Sequence, residues 1–353
     1  MQLTQTTLGL KEVTRERSPP VLPYTNNAEC INFTSSVVTL GTLVIVVCYK
    51  STQISQEWRR LFIFGSTFNR LCLPMLEPGF PYAFPGNVKD HLKKIATARI
   101  RDTDVLLSTY PKSGTHWVRE IVSMLLRGKA EYSSDPLHSI DFYDSSYIEK
   151  LQSPRILQSH LPFRYLPNEI KRQGRIIHVS RNPKDTAVSL YCMLKKLTYM
   201  SGSFSGSFHA LLQCIFYSDK FSYGNWFDFV KEWDKVMRQE NRGCKILHLE
   251  YEEMKKDLKS NVRKVADFLS VDCDEEFINM VAEKCTFKNM KNGKEANPQP
   301  YWKDCTFDGR MPIFRRGDVG DWRSWFSDKE NDRFDKEYAR QMKDQQISFR
   351  YYI

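Results

Sequence analysis

The sequence predicts an α/β fold: a single domain with a mostly parallel central sheet, helices on both faces and a P-loop-like anion-binding loop. Three observations carry this. Short apolar runs alternate with longer stretches of helical periodicity, the pattern of a parallel sheet covered on both sides. One run, Asp104-Val-Leu-Leu-Ser108, passes through a tight loop into a helix on which Trp117, Val118, Ile121, Val122, Leu125 and Leu126 recur at helical spacing. Lys112, His160, Arg181 and Tyr251 all fall at the carboxyl ends of such runs, where open α/β sheets bind ligands.

Residues 1–72 read as a divergent extension and 73–353 as the domain itself. Met1 to Glu29 is polar, contains Pro19-Pro20 and has no periodicity. Residues 37–49 are then apolar up to Lys50, thirteen residues where a spanning helix needs ~20. Extending back to Phe33 gives seventeen, several of them hydroxyl-bearing. The start is too late, and lacks the basic leader, for a secretory signal. The expectation is a soluble extension, or an artefact of where the chain's start was assigned. Membrane anchoring through 33–49 is the disfavoured alternative, and Lys50, Arg59 and Arg60 would then leave the domain facing the cytosol.

Pro78 to Gly86 is a turn-rich, aromatic loop, and Asn87 to Ala98 reads as a helix with an Asn cap. The strand–loop–helix unit follows. Ser113, Gly114 and Thr115 stand where its helix begins, with unpaired N–H groups and the positive end of the dipole exposed. Gly114 lets backbone approach a ligand, and Lys112 adds a full charge, so the loop is an anion cradle. It is not a Walker A loop, because the lysine precedes the glycine. Ile156-Leu157, Arg175 to Ser180 and Lys245 to Leu249 are three further strands. Pro183 sits in the first turn of the helix after the Arg175 to Ser180 strand, and an amphipathic helix runs from Met254 to Phe268. His178 and His248 lie inside strand patterns and read as core. Ser201 to Ser207 is a flexible loop.

At 353 residues with 41% hydrophobic content, the chain can bury a sizeable core. A net charge of +10 invites a nucleic-acid reading, but no Lys/Arg run of five occurs and the aromatics follow core spacing. A basic surface with one anion-binding cleft is the better account, with no nucleic-acid partner. Nine cysteines without CxxC or Cys/His metal spacing argue for free thiols in a reducing, cytoplasmic compartment and for no metal site.

Tyr110-Pro-Lys-Ser-Gly-Thr-His-Trp117 closely resembles the 5′-phosphosulfate loop of the cytosolic sulfotransferases, which usually read Tyr-Pro-Lys-Ser-Gly-Thr-Thr-Trp. The resemblance runs from about Leu73 to Ile353. It implies 3′-phosphoadenosine 5′-phosphosulfate (PAPS) as sulfuryl donor, held by Lys112, Ser113, Gly114, Thr115, His116 and Trp117, with His116 departing from the usual threonine. It implies a small-molecule acceptor: a phenol, alcohol, steroid or amine. Arg155-Ile-Leu-Gln-Ser-His-Leu-Pro162 resembles the family's Arg-Leu-Leu-Lys-Thr-His-Leu-Pro, which makes His160 the general base and Lys112 its catalytic partner. Gln158 stands where the family usually has lysine, a feature shared with some members of the 6B subfamily. Arg181-Asn-Pro-Lys-Asp-Thr-Ala-Val-Ser-Leu-Tyr191 matches the 3′-phosphate motif, with Arg181 and Ser189 as contacts. Phe314-Arg-Arg-Gly-Asp-Val-Gly-Asp-Trp322 matches the Arg-Lys-Gly-x-x-Gly-Asp-Trp signature, adding Arg315, Arg316 and Gly317. Trp117 and Phe287 match adenine-sandwiching positions and Tyr251 one that hydrogen-bonds the base. The family's dimer motif is altered after Trp322, with Asp328 in place of valine, so the oligomeric state stays open. A non-catalytic PAPS-binding protein and a P-loop nucleotide kinase are the alternatives.

Overall fold

In the computed structural model, residues 38–40, 43–46, 62–64, 70–71, 88–143, 145–197, 206–219, 221, 223–239, 243–297 and 306–353 are described. The central element is β5 (Val105–Thr109), buried along its whole length. It pairs in parallel with β7 (Ile156–Ser159) on one side and β8 (Arg175–Ser180) on the other. β6 (His138–Ser139) and β9 (Lys245–Glu250) flank these, giving the all-parallel order β6-β7-β5-β8-β9. Side chains alternate across a strand, so consecutive apolar residues feed two separate cores. Leu106, Leu157 and Ile176 join one cluster, while Val105, Leu107, Ile177 and Val179 join the other. That is why these strands read as continuous apolar runs.

α2 (Thr115–Arg127) follows β5 and buries Val118, Ile121, Val122 and Leu125 against the second cluster. Beside it lie α9 (Leu258–Leu269) and α10 (Glu275–Lys284). The other face carries α6 (Phe208–Phe216) and α7 (Trp226–Met237), rich in buried aromatics, and α12 (Asp328–Met342), which adds Phe334 to the same cluster. At the amino ends of β5 and β7, the buried Arg155 forks onto the Asp104 carboxylate, with Nε 2.8 Å from Oδ1. Removing either partner would strand a buried charge at a cost of about 3–5 kcal/mol.

Several expectations need adjustment. The first described helix, α1, runs Val88–Ala96. The single helix expected over 254–268 is two, α8 (Tyr251–Lys256) and α9, broken at Asp257, whose side chain accepts from Ser260 N–H and caps α9 instead of continuing α8. A two-residue edge strand, β6, joins the sheet. Within the 37–49 stretch, β1 (Val38–Leu40) and β2 (Leu43–Val46) pair antiparallel in a sheet completed by β3 (Phe62–Phe64) and β4 (Arg70–Leu71). Strands of three and four residues do not fit a spanning helix. Among the described residues no helix is long and apolar enough to cross a membrane. The Pro78–Gly86 loop and residues 201–205 lie outside the described residues. Among the described cysteines, Cys192, Cys273 and Cys285 are free thiols.

Candidate active site

Sheet register lines up the site. Ser108 is level with Ser159, so Thr109 and His160 come next, side by side, at the carboxyl edge. Ser180 is level with Glu250, so Arg181 and Tyr251 emerge together one strand further along.

Between Thr109 and α2 the chain turns through two left-handed residues, Lys112 (φ 72°) and Gly114 (φ 114°). The first bond inside the helix end is Val118 N–H to the Gly114 carbonyl at 3.1 Å. Ser113 N–H, expected to be unpaired, instead turns back onto the Tyr110 carbonyl at 3.2 Å, which leaves the N–H groups of residues 114–117 for the cradle. Gly114 is required twice over: its φ excludes most side chains, and a Cβ there would stand 3.2 Å from the Tyr251 ring. The Ser113 hydroxyl is buried in the cradle without a protein partner. Burial foremost, then the charges of Arg181 and Arg315, bring the Lys112 ammonium down to about 7.

His160 is anchored through Thr109. Its Nδ1 lies 2.9 Å from the Thr109 carbonyl oxygen and 3.1 Å from the Thr109 hydroxyl. A carbonyl only accepts, so Nδ1 carries the proton and Nε2 keeps the free lone pair. The Thr109 hydroxyl also meets that of Thr115 at 2.7 Å, linking the base to the cradle helix. Burial pushes the imidazole down to about 4; the bond to Thr109 opposes this and the charge of Lys112 adds to it. The ring is therefore neutral near pH 7. Gln158, two residues before it, is buried with Oε1 unpartnered.

Arg181 places its guanidinium 4.2 Å from the Tyr251 ring centroid and donates from Nη1 to the Lys112 carbonyl at 3.1 Å. Its Nε is buried and unpartnered. Tyr251 in turn meets Trp117 edge to face at 5.2 Å. The Trp117 indole N–H donates to the Cys285 carbonyl at 2.7 Å, just ahead of Phe287 at the start of α11 (Phe287–Ala296). Ser189 is half-buried on α5 (Pro183–Leu194). His116 faces a small cavity with Arg119, Glu120, Lys294 and Phe314, and burial followed by the Lys112 charge drives its ring down to about 3.

Arg315 and Arg316 are where expected in the chain, but both are engaged. Each pairs with the buried carboxylate of Asp321. Gly317 (φ 72°) packs so tightly on Phe287 that a Cβ would come within 2.1 Å of the ring. Asp185, unnoticed within the Arg181 string, holds this loop to α5: its carboxylate accepts from Gly320 N–H at 2.7 Å and Trp322 N–H at 2.9 Å. Glu252 likewise takes both the backbone and side-chain N–H of Asn182, each at 2.9 Å. Asp141, also unnoticed, accepts from Ser159 and His160. Among the described residues no group of three or more His, Cys, Asp or Glu stands together to hold a metal.

A parallel sheet with an anion cradle, clustered cations and a neutral histidine at its carboxyl edge defines an α/β transferase that handles an anionic donor. The chain belongs to the sulfotransferase family: residues 102–346 match the Sulfotransferase domain. Sulfotransferase 1 family member D1 of Mus musculus is 31% identical over 75% of this chain and 92% of its own length. Sulfotransferase 1E1 of Homo sapiens is 31% identical over 74% of this chain and 92% of its own length. The crystal structure of mouse sulfotransferase SULT7A1 complexed with PAP is 28% identical, with a TM-score of 0.60 over 73% of this chain and 91% of that one. Retinol dehydratase, solved with androsterone and the inactive cofactor PAP, shares the fold at TM-score 0.65 and 21% identity over 83% of this chain and 92% of that one.

Proposed function

We propose that this enzyme transfers the sulfuryl group of PAPS to a hydroxyl or amine of a small-molecule acceptor, with His160 as general base. The observation that carries the reading is the shared Thr109: one residue fixes the base's tautomer through its carbonyl and meets the cradle helix through its hydroxyl. Buried polar atoms without protein partners, Ser113 Oγ and Arg181 Nε, fit an anionic ligand held between them. PAP in the mouse relative's crystal structure supports the same donor class.

PAPS, when bound, supplies an activated sulfuryl group, and its phosphates are the handles. The N–H groups at the start of α2, Ser113 and Lys112 would hold the 5′ end; Arg181, Ser189, Arg315, Arg316 and Gly317 the 3′-phosphate; Trp117, Phe287 and Tyr251 the adenine; His116 borders the same loop. His160 accepts the acceptor's proton at Nε2 while Nδ1–H stays on the Thr109 carbonyl. Lys112 stabilises negative charge beside it. We assign residues 73–353 to this domain, with 1–72 as a divergent extension, acting in the cytoplasm. The neutral Gln158 supports a 6B-like member.

The test is incubation with labelled PAPS and a panel of phenols, alcohols, steroids and amines. Label transferred to one class identifies the acceptor. PAP binding without transfer to any would overturn the reading.

A further inference from the structure

We propose that Asp141 is the positioning residue for the base: its carboxylate clamps Ser159 and His160 together and so sets where the imidazole stands. The inference rests on His160 acting as the base. Asp141 is fully buried just beyond β6. Its Oδ1 accepts from the Ser159 hydroxyl at 2.6 Å and its Oδ2 from His160 N–H at 2.8 Å. The Ser159 oxygen in turn accepts from Leu161 N–H at 3.0 Å. Tyr223 also hydrogen-bonds the Asp141 carboxylate, and its ring meets the imidazole edge-on at 5.2 Å. The Asp141 carbonyl lies 2.8 Å from His91 Nε2 on α1.

The need for such a clamp follows from the fold. β7 ends at Ser159, so His160 stands one residue past the last ladder position. Both contacts of Nδ1 go to Thr109, so they leave the ring free to pivot about that one residue. A second fixed point on the backbone removes the pivot and keeps Nε2 aimed at one spot. Only a carboxylate serves both neighbours. An amide at 141 retains one acceptor oxygen; if that oxygen keeps His160 N–H, the NH₂ group faces the Ser159 oxygen, which already takes the Leu161 N–H. The hydroxyl proton of Ser159 would then lose its acceptor.

Asp141→Ala and Asp141→Asn test this in the full chain, with thermal midpoints as the folding check. The expected result is a fall in kcat of about tenfold to 10²-fold, the penalty of small misplacement, with PAP affinity unchanged. In ¹⁵N spectra of histidine-labelled protein, assigned with His160→Gln, the His160 imidazole should shift from one tautomer to a mixture. If Asp141→Ala does not fold, Asp141→Asn and Ser159→Ala carry the same readouts. A folded variant with unchanged kcat and an unchanged His160 tautomer overturns the proposal. Should the wild type transfer sulfuryl to no acceptor, the tautomer alone decides: a mixture in the variant sustains the clamp, and an unchanged spectrum rejects it.

Discussion

Lys112 should make donor binding depend on pH in a window where few side chains titrate. Burial and the neighbouring guanidinium charges hold its free-state pKa at about 7. An anionic donor favours the ammonium form and raises that pKa in the complex, so binding above pH 7 takes up a proton. The sign is fixed: affinity is full when Lys112 is charged and is lost as pH rises through the free-state value, until the bound-state value is reached. With a free-state pKa of about 7, roughly half the molecules are charged at pH 7 and about one in eleven at pH 8. The apparent Kd for PAP should therefore rise about fivefold over that unit, ~1 kcal/mol. Below pH 7 the second phosphate ionisation near pKa ~6 acts in the opposite direction, so the measurement belongs between 7 and 8. Isothermal titration calorimetry in two buffers of different protonation enthalpy reads both affinity and proton uptake. Lys112→Met should bind more weakly but show no pH dependence. Equal wild-type affinities at pH 7 and 8, with no proton uptake, would refute the reasoning.

Other substitutions separate the roles. His160→Ala should lower kcat by about 10²-fold or more while PAP affinity holds; a rate within a few-fold of wild type would remove His160 as the base. Arg181→Ala should weaken PAP binding by about tenfold or more through loss of a charge-assisted phosphate contact, read by calorimetry. Gly317→Ala forces a side chain at φ 72° into the Phe287 ring. It should cost about 1–3 kcal/mol in unfolding free energy and weaken PAP binding; an unaltered thermal midpoint would contradict the packing. Gln158→Lys should raise turnover with a simple phenol about tenfold, ~1.4 kcal/mol, by adding charge next to the reacting group. No gain with donor affinity intact would mean the glutamine is adapted to its acceptor.

The strands that frame the site were legible because both faces of the sheet are covered. Arg175 to Ser180 reads as an unbroken run and forms β8 with those bounds. β6 was not legible, since two residues carry no periodicity. The break at Asp257 was hidden because apolar spacing continues across it, while the deciding interaction is one side-chain cap. The cradle, His160 and Arg181 stood out as charged or ionisable residues at strand ends. Asp141, Asp185 and Glu252 did not, because their partners include backbone N–H groups contributed by distant segments, and such partners leave no residue pattern. The pairing of Arg315 and Arg316 with Asp321 was missed for a related reason. The motif marks which residues are present, not which anion they hold.

The fastening of α5 to residues 320–322 has a consequence for the order in which the molecule is made. Asp185 bonds Gly320 and Trp322, and its neighbour Lys184 is buried with its ammonium 2.6 Å from Asn331 and Asp335 oxygens and 4.4 Å from the Trp322 ring centroid. On a ribosome, the cradle and the Arg181 segment emerge long before these partners exist. At synthesis rates of ~5–20 residues per second, the roughly 135 residues between them represent many seconds during which a lysine and an aspartate destined for burial stay in water. Half of the proposed donor site is therefore on hand early, and nucleotide can be gripped from both sides only once translation has passed Trp322.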